Sequence, residues 1–298
     1  MTAKVSPPPP APTPPASVAV GILLMVIAVG CFAATNMFVK LIGPTYHPVE
    51  AVFFRNLITA VLTVPFILSF GGLRILRTRR AGIHAIRTVT GVISNVCYFY
   101  AYQRVALADG MAIAMSVPIF ATLFAIPLLG EKVGLHRWLA IIVGFGGVMI
   151  ALNPQGDIQT GSLYALAGTL FWAVALPYVR MLGATESPYT VVFHYMWAST
   201  LMAACFLPFV WVTPTGHVMM LYLATGLVGT VGQICMTYAL KLAAASIIAP
   251  FEYTKIGWAI LFDLALWGAS PSFTTLLGAG IVMVTGLYIL YRETRHRK

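Results

Sequence analysis

An all-α integral membrane protein of ten transmembrane helices, arranged as two inverted five-helix repeats, is what this sequence predicts. Composition is the first reason: 59% of the 298 residues are apolar and 9% charged, with a mean hydropathy of +0.88. A soluble domain carries roughly a quarter of its residues as Asp, Glu, Lys and Arg, so the bilayer must be the solvent for most of this chain. Segment length is the second, because apolar stretches of membrane-crossing length recur between short intervals rich in Gly, Pro or charge. The third is internal similarity. At an offset of 140, Phe32-Ala33, Val39-Lys40, Gly43, Pro48 and Phe53 fall on Trp172-Ala173, Val179-Arg180, Gly183, Pro188 and Phe193. At 138, Tyr100-Ala101, Ala106, Ala108 and Gly130 fall on Tyr238-Ala239, Ala244, Ser246 and Gly268. An odd number of spans per copy places the second copy upside down relative to the first, an arrangement many secondary carriers use around a central site.

Spans of roughly 20 residues cross about 30 Å of hydrocarbon. They read out at 18–42, 48–70, 82–103, 107–129, 135–152, 161–182, 189–212, 218–240, 245–268 and 273–291. Ahead of them, residues 1–16 hold seven prolines among Ala, Ser and Thr. That composition can form neither a core nor a helix interior and reads as a disordered cytoplasmic tail. It lacks the basic start and cleavage site of a signal peptide, so the first span is expected to be retained. Residues 17–152 form the first repeat and 153–291 the second, and 292–298 a basic cytoplasmic tail.

The net charge of +10 suggests a nucleic-acid partner only until the charges are located. With both ends in the cytoplasm, thirteen of the eighteen Lys and Arg fall on that side: one in the tail, four in the 71–81 loop, two at 131–137, Arg180, Lys241, and four at the C-terminus. Lys40 and Arg104 fall opposite, and Arg55, Arg87 and Lys255 lie within spans. This positive-inside bias sets the topology and assigns Arg74, Arg77, Arg79 and Arg80 to orientation and lipid headgroups rather than nucleic acid. Cys31, Cys97, Cys205 and Cys235 all sit in spans without metal-ligand spacing and read as small apolar residues. No cofactor is implied.

Polar residues in hydrocarbon are costly and mark cavities or helix contacts. On the third span His84, Arg87, Gly91, Asn95, Tyr98 and Tyr102 repeat at helical spacing along one face. His84 and Arg87 are expected to snorkel to the cytoplasmic edge, and Asn95 and Tyr98 to lie near mid-membrane. Val89, Val92, Val96 and Phe99 fall around the stripe, suited to lipid or packing. The eighth span carries Gly226, Thr230, Gln233, Thr237 and Lys241, with Gln233 at the repeat position of Asn95. These amides either face each other across a cavity or bond neighbouring helices as glue. Glu252 and Lys255 share one helical face of the ninth span, as a self-neutralising pair or as groups meeting a zwitterionic solute. Pro250 and Pro118 can each leave a carbonyl free. Asn36, Trp172, Tyr178 and His194 complete the candidate site, with packing the alternative for the aromatics and a structural role for His194. Arg55 needs Glu50, a carbonyl or cavity water, and Asp263 can reach the interface. Ala140, Gly144, Gly147 and Ala151, with Gly278, Gly280 and Gly286, form small-residue surfaces for close packing, within the protomer or between two copies. No HExxH, GxSxG or phosphate-binding Gly-Lys-Ser loop is present, so neither an enzyme nor an ATP-driven pump has its parts here. Uniport and proton exchange both remain open, Glu252 and His194 being the candidate proton carriers.

The two five-span copies, the HPVEAVFFR entry to the second span, the RVALADGMAIAMSVP turn, and the LLGEKVGLHRW and GFGGVMI stretches resemble the EamA-type branch of the drug/metabolite transporter superfamily. The resemblance covers 17–291, and the second copy departs from it where Ala269 stands at the position of Glu131. It implies a bacterial inner-membrane carrier whose central cavity is lined by all spans except the fifth and tenth. Among its members the chain is similar to amino-acid exporters, which implies an amino acid or similar metabolite as substrate. Relatives moving S-adenosylmethionine or nucleotide sugars share the skeleton, so uptake or exchange of such a solute is the alternative within transport. A membrane scaffold or an intramembrane enzyme is the alternative outside it.

Overall fold

The computed structural model describes residues 15–72, 77–129, 134–152, 159–243 and 245–295, and these form twelve α-helices and one 3₁₀ turn. They are α1 (Pro15–Ile42), α2 (Pro48–Gly71), α3 (Ala81–Tyr102), α4 (Leu107–Ala114), α5 (Val117–Leu129), α6 (Leu135–Leu152), α7 (Thr160–Gly183), α8 (Pro188–Val210), α9 (Gly216–Leu242), α10 (Ala245–Ile248), the 3₁₀ turn Ala249–Thr254, α11 (Lys255–Trp267) and α12 (Phe273–Arg295). All ten expected segments are helical. The fourth and ninth, expected as continuous helices, are broken at mid-length, the fourth into α4 and α5 and the ninth into α10, the 3₁₀ turn and α11. The proline-rich stretch through residue 14 lies outside the described residues, as do the loop segments around Arg74, Glu131 and Pro154. The last helix continues to Arg295, so most of the expected basic tail is helical.

Seven stretches among the described residues are long and apolar enough to cross a membrane. Ten were expected, and the other three fall short for visible reasons. The segment α3 has the length but carries the polar stripe, α6 is short, and α11 is only 13 residues because its span is broken. Local chemistry fixes several ends. Ser187 and Thr215 cap α8 and α9 by accepting from the Thr190 and Val218 backbone N–H groups. The left-handed backbone of Gly268, φ 60°, closes α11 where a side chain would be strained.

Packing pairs distant segments: α1 lies on α9, α3 on α7, α2 on α8 and α9, α3 on α8, and α6 on α12. The core where these meet contains Val39, Val52, Phe99, Leu107 and Tyr222, all fully buried. Outward faces are apolar instead. Leu135, Leu139, Ile142 and Val143 of α6 are each more than half exposed, which only a lipid environment tolerates.

The small-residue stripes turn out to serve packing within the protomer. Gly147 and Ala151 of α6 meet Gly278 of α12 backbone to backbone, and Gly144 meets Thr285 and Ile119. Gly286 gives room to the Tyr253 hydroxyl, while Gly280 faces open space and contributes nothing to close approach. A Cβ on Gly278 would lie 2.6 Å from the Gly147 carbonyl oxygen, and backbone cannot step aside. Gly278→Ala is therefore expected to lower stability by about 1–3 kcal/mol, the usual penalty of overpacking, whereas Gly280→Ala should be neutral. The thermal-unfolding midpoints of the two purified variants decide this.

Candidate functional site

The centre of the molecule is where the two broken spans cross. At the C-terminal end of α4 the Met111, Ala112 and Ile113 oxygens accept from the N–H groups of Met115 and Ser116, and Lys255, the first residue of α11, donates from Nζ to the remaining Ala114 oxygen at 3.3 Å. An ammonium at a helix C-terminus also opposes the negative end of the dipole. Pro118 stands four residues after Ala114 and has no N–H to offer that oxygen, as its sequence position suggested, whereas Pro250 sits in the first turn of the 3₁₀ segment, where a missing N–H costs nothing. Glu252 is exposed and makes no direct ion pair with Lys255, so the self-neutralising contact left open by the sequence is not formed.

The polar stripe of α3 faces its neighbouring helices α7 and α8. His84 and Arg87 are buried, so neither snorkels. The Arg87 guanidinium lies over the Tyr195 ring of α8, 4.0 Å from its centroid. Gly91 makes this possible, since a Cβ there would stand 2.8 Å from that ring. Asn95 donates from Nδ2 to the Tyr195 hydroxyl oxygen at 2.9 Å. Arg55 comes from α2, lies over Phe99 at 5.7 Å, and shares the space beside Gly229 with Thr35. It does not pair with Glu50, whose oxygens accept from the Val212 N–H and the Tyr222 hydroxyl. Val92 is buried, and the lipid-exposed valine of this helix is Val89.

The other candidates are spread around this centre. Gln233 lines a separate cavity of about 20 Å³ with Thr63, Tyr189 and Val192, so it does not meet Asn95: α3 packs on α7 and α8, and α9 on α1 and α2. Tyr98 is committed to α7, donating to Thr169 at 3.0 Å with its ring against Gly168. Tyr102 is buried against Gly110 and stacks on Tyr98. The Nδ1 of His194 lies 2.9 Å from the Thr190 carbonyl and its ring 4.8 Å from that of His84. Asn36, Trp172 and Tyr178 are half-buried, and no hydrogen bond joins them to the stripe among the described residues.

Three carboxylates do more than their positions suggested. Asp263, expected to reach the interface, is buried instead; it binds Lys40 at 2.7 Å and accepts from the Ala108 N–H, tying α1, α4 and α11 together. Glu50 ties α2 to the start of α9 at the same end of the bundle, the end opposite the start of α1. At the end where α1 starts, Glu186 accepts from Thr78 at 2.5 Å and lies 2.7 Å from His84 Nε2, joining the α7–α8 turn to α3. Tyr195 and Glu186 carried no period or motif, which is why the sequence did not single them out.

Burial opposes ionisation of Glu186, but the Thr78 hydroxyl, the His84 ring and the Arg79 backbone together hold its carboxyl below the usual range. A depressed carboxylate stabilises the folded form above its unfolded pKa and loses that contribution as pH falls through the folded value. Lowering pH from about 6 to about 3, across the ordinary carboxylate range, should therefore destabilise the parent more than Glu186→Gln. Equal losses in thermal midpoint would show that this contact adds no stability.

Residues 19–153 and 159–292 each match the EamA-like transporter family. A pseudopaline exporter of Pseudomonas aeruginosa is 32% identical over 287 residues, covering 92% of this chain and 97% of the relative. A riboflavin transporter of Vibrio cholerae is 30% identical over 241 residues, 80% of this chain and 81% of its own. An S-adenosylmethionine uptake transporter of Rickettsia bellii is 23% identical over 278 residues, covering 93% and 95%. One solved structure, 18% identical, superposes with a TM-score of 0.63 over 94% of this chain and 99% of that one, a likeness of fold alone. With both halves matched, the chain belongs to the EamA-like transporter family, and it is a multi-pass membrane transporter.

Proposed function

We propose that the chain exports small zwitterionic or amphipathic metabolites, amino acids foremost, across a bacterial inner membrane by alternating access between two inverted five-helix halves. The observation that carries this reading is the crossing of the broken spans. The second pieces, α5 and α11, begin at Val117 and Lys255, which the 138-residue offset superposes, and the contact between the breaks is the Lys255–Ala114 bond. Two interrupted helices meeting at repeat-related positions form a hinge and a polar centre at once, a device of inverted-repeat carriers. The packing pattern supports the symmetry: the α1–α9 contact corresponds to α7–α3, and α2–α9 to α8–α3. Arg55 and Tyr195, 140 apart, fill the spaces beside Gly229 and Gly91, 138 apart.

Relatives named for pseudopaline, riboflavin and S-adenosylmethionine all handle organic solutes of metabolite size. The exporter among them is the more similar to this chain than the S-adenosylmethionine uptake carrier, which favours the outward direction. Asn95, bonded to Tyr195 where α3 packs on α8, is the amide we assign to the solute path. Gln233, in its cavity at the α2–α8–α9 junction, lies on the same path near one end, and Glu252 and Lys255 supply charge.

Flux of labelled amino acids and S-adenosylmethionine from proteoliposomes tests the reading, and absence of flux for every solute in folded protein would count against it. An unpaired polar group in a low-dielectric cavity costs ~1–3 kcal/mol, roughly 5- to 150-fold in affinity. Asn95→Leu should reduce flux on that scale without lowering the yield of folded protein, while Val89→Leu on the lipid face should not. Both termini are assigned to the cytoplasm, so a cysteine replacing Arg77 should resist an impermeant thiol reagent added outside intact cells.

A further inference from the structure

Among the described residues, Lys40 is neutralised by Asp263 and Lys255 has a carbonyl partner with Glu252 one turn away. Arg55 and Arg87 are different. Arg87 is 8% exposed, yet its Nε and Nη1 are buried with no hydrogen-bond partner. Among the described residues no carboxylate pairs with Arg55, whose guanidinium lies over the Phe99 ring at 5.7 Å beside Thr35 and Gly229. Tyr195 accepts from Asn95, which leaves its own hydrogen to donate. The Arg87 guanidinium and the Tyr195 phenol are thus donors that meet at one ring, with Arg55 on α2, which packs on α8. A buried guanidinium without a counter-charge is among the costliest arrangements a membrane interior can hold. Aromatic faces offset part of that cost but satisfy none of the N–H groups.

We propose that Arg55, Arg87 and Tyr195, steadied by Asn95, form an anion subsite that takes a carboxylate of the transported solute. The fork of a guanidinium matches a carboxylate with two parallel hydrogen bonds, which Lys cannot do. Placement supports this role. Arg55 sits on α2 and Tyr195 on α8, the two helices that pair across the centre, while Arg87 reaches them from α3. Lipid headgroups are an implausible source of the anion, because Arg87 is enclosed by protein. A carboxylate bound here would neutralise the centre, and its departure would restore the unpaired charge. The inference rests on the transport reading for the word solute, but its test does not.

Full-length protein in detergent is titrated with acetate, succinate and citrate, against sodium chloride at matched ionic strength, inorganic phosphate and neutral glutaramide. Affinity is read by calorimetry and by the shift in thermal midpoint. The expected result is saturable stabilisation by the carboxylates, absent with chloride and glutaramide, and weakened roughly 10- to 150-fold in Arg55→Gln and Arg87→Gln, the span of one hydrogen bond to a charged group. The unliganded midpoint of Arg87→Gln should hold or rise, because an unpaired buried charge has gone; a merely structural guanidinium would lower it. Arg55→Lys and Arg87→Lys, which keep charge without the fork, carry the affinity test if either Gln variant fails to fold. An equal response to chloride, a preference for phosphate over every carboxylate, or undiminished carboxylate binding in the arginine variants would each overturn the proposal. Binding is measured without flux. Arginine-dependent binding in a protein that moves nothing would fail the transport reading alone, and flux without arginine-dependent binding would fail this inference alone.

Discussion

A helix interrupted within a bilayer has no water to turn to, so each carbonyl it frees must be met by protein. Here that demand falls on the junction of α4 with α11, and the Lys255–Ala114 bond answers it. Much of the architecture follows. For Lys255 to reach Ala114, the two broken spans must cross at their breaks, which fixes α4 against α11 and α12. Asp263, two turns further along α11, then meets the N-terminal turn of α4 and Lys40 of α1, so both ends of the short helix are held by the same partner. A carboxylate at one end and an ammonium at the other both favour the direction of the helix dipole. Eight residues of helix that would be marginal alone are thereby fixed.

The helices crossing around this junction are held at their ends by carboxylates that accept from several segments at once. Glu50 and Asp263 serve one face and Glu186 the other. A buried carboxylate is stable only when its acceptors are filled, and these are filled from helices far apart in sequence. For a carrier the same bonds are also closures. A conformational change that separated α3 from the α7–α8 turn would have to release both contacts of Glu186.

How much of this was legible in the sequence depends on how local the cause is. Segment positions, the inward stripe of α3 and the small-residue faces of α6 and α12 follow from period and side-chain size. The double match to one family, with a boundary near residue 155, follows from the repeat. What the sequence could not show is pairing between segments. Asn95 and Gln233 share a repeat position, but helix packing sends one to Tyr195 and the other to Thr63 and Tyr189. Arg87 looked able to snorkel because it lies two turns into its helix, yet Tyr195 closes over it. Apolar type suited Val92 and Val89 alike to lipid or packing, and only the approach of neighbouring helices buries Val92 while leaving Val89 exposed. Asp263 looked exposed because it lies near a helix end, and only the tertiary approach of α1 and α4 buries it.

Among the described residues, each end of the bundle is tied by side-chain contacts that opening there would have to break. At the end where α1 starts, the α7–α8 turn is held to α3 by two side-chain contacts, both on one carboxylate. At the other end, Tyr46 accepts from the Thr215 N–H and its own carbonyl accepts from Gln103, beside the two bonds of Glu50 and the three-segment junction of Asp263. Hydrogen bonds to charged groups contribute about 1.5–3 kcal/mol each, so parting either end has a cost of that order for each such contact released. A solute whose charge satisfied the central arginines would shift the balance between the two states only if it bound them differently, since a ligand shifts an equilibrium only by its differential affinity. The fork of Arg87 stacks on Tyr195 of the opposite half, so any sliding of α3 against α8 changes the site's geometry. That is the physical route by which occupancy at the centre and closure at the ends become one event.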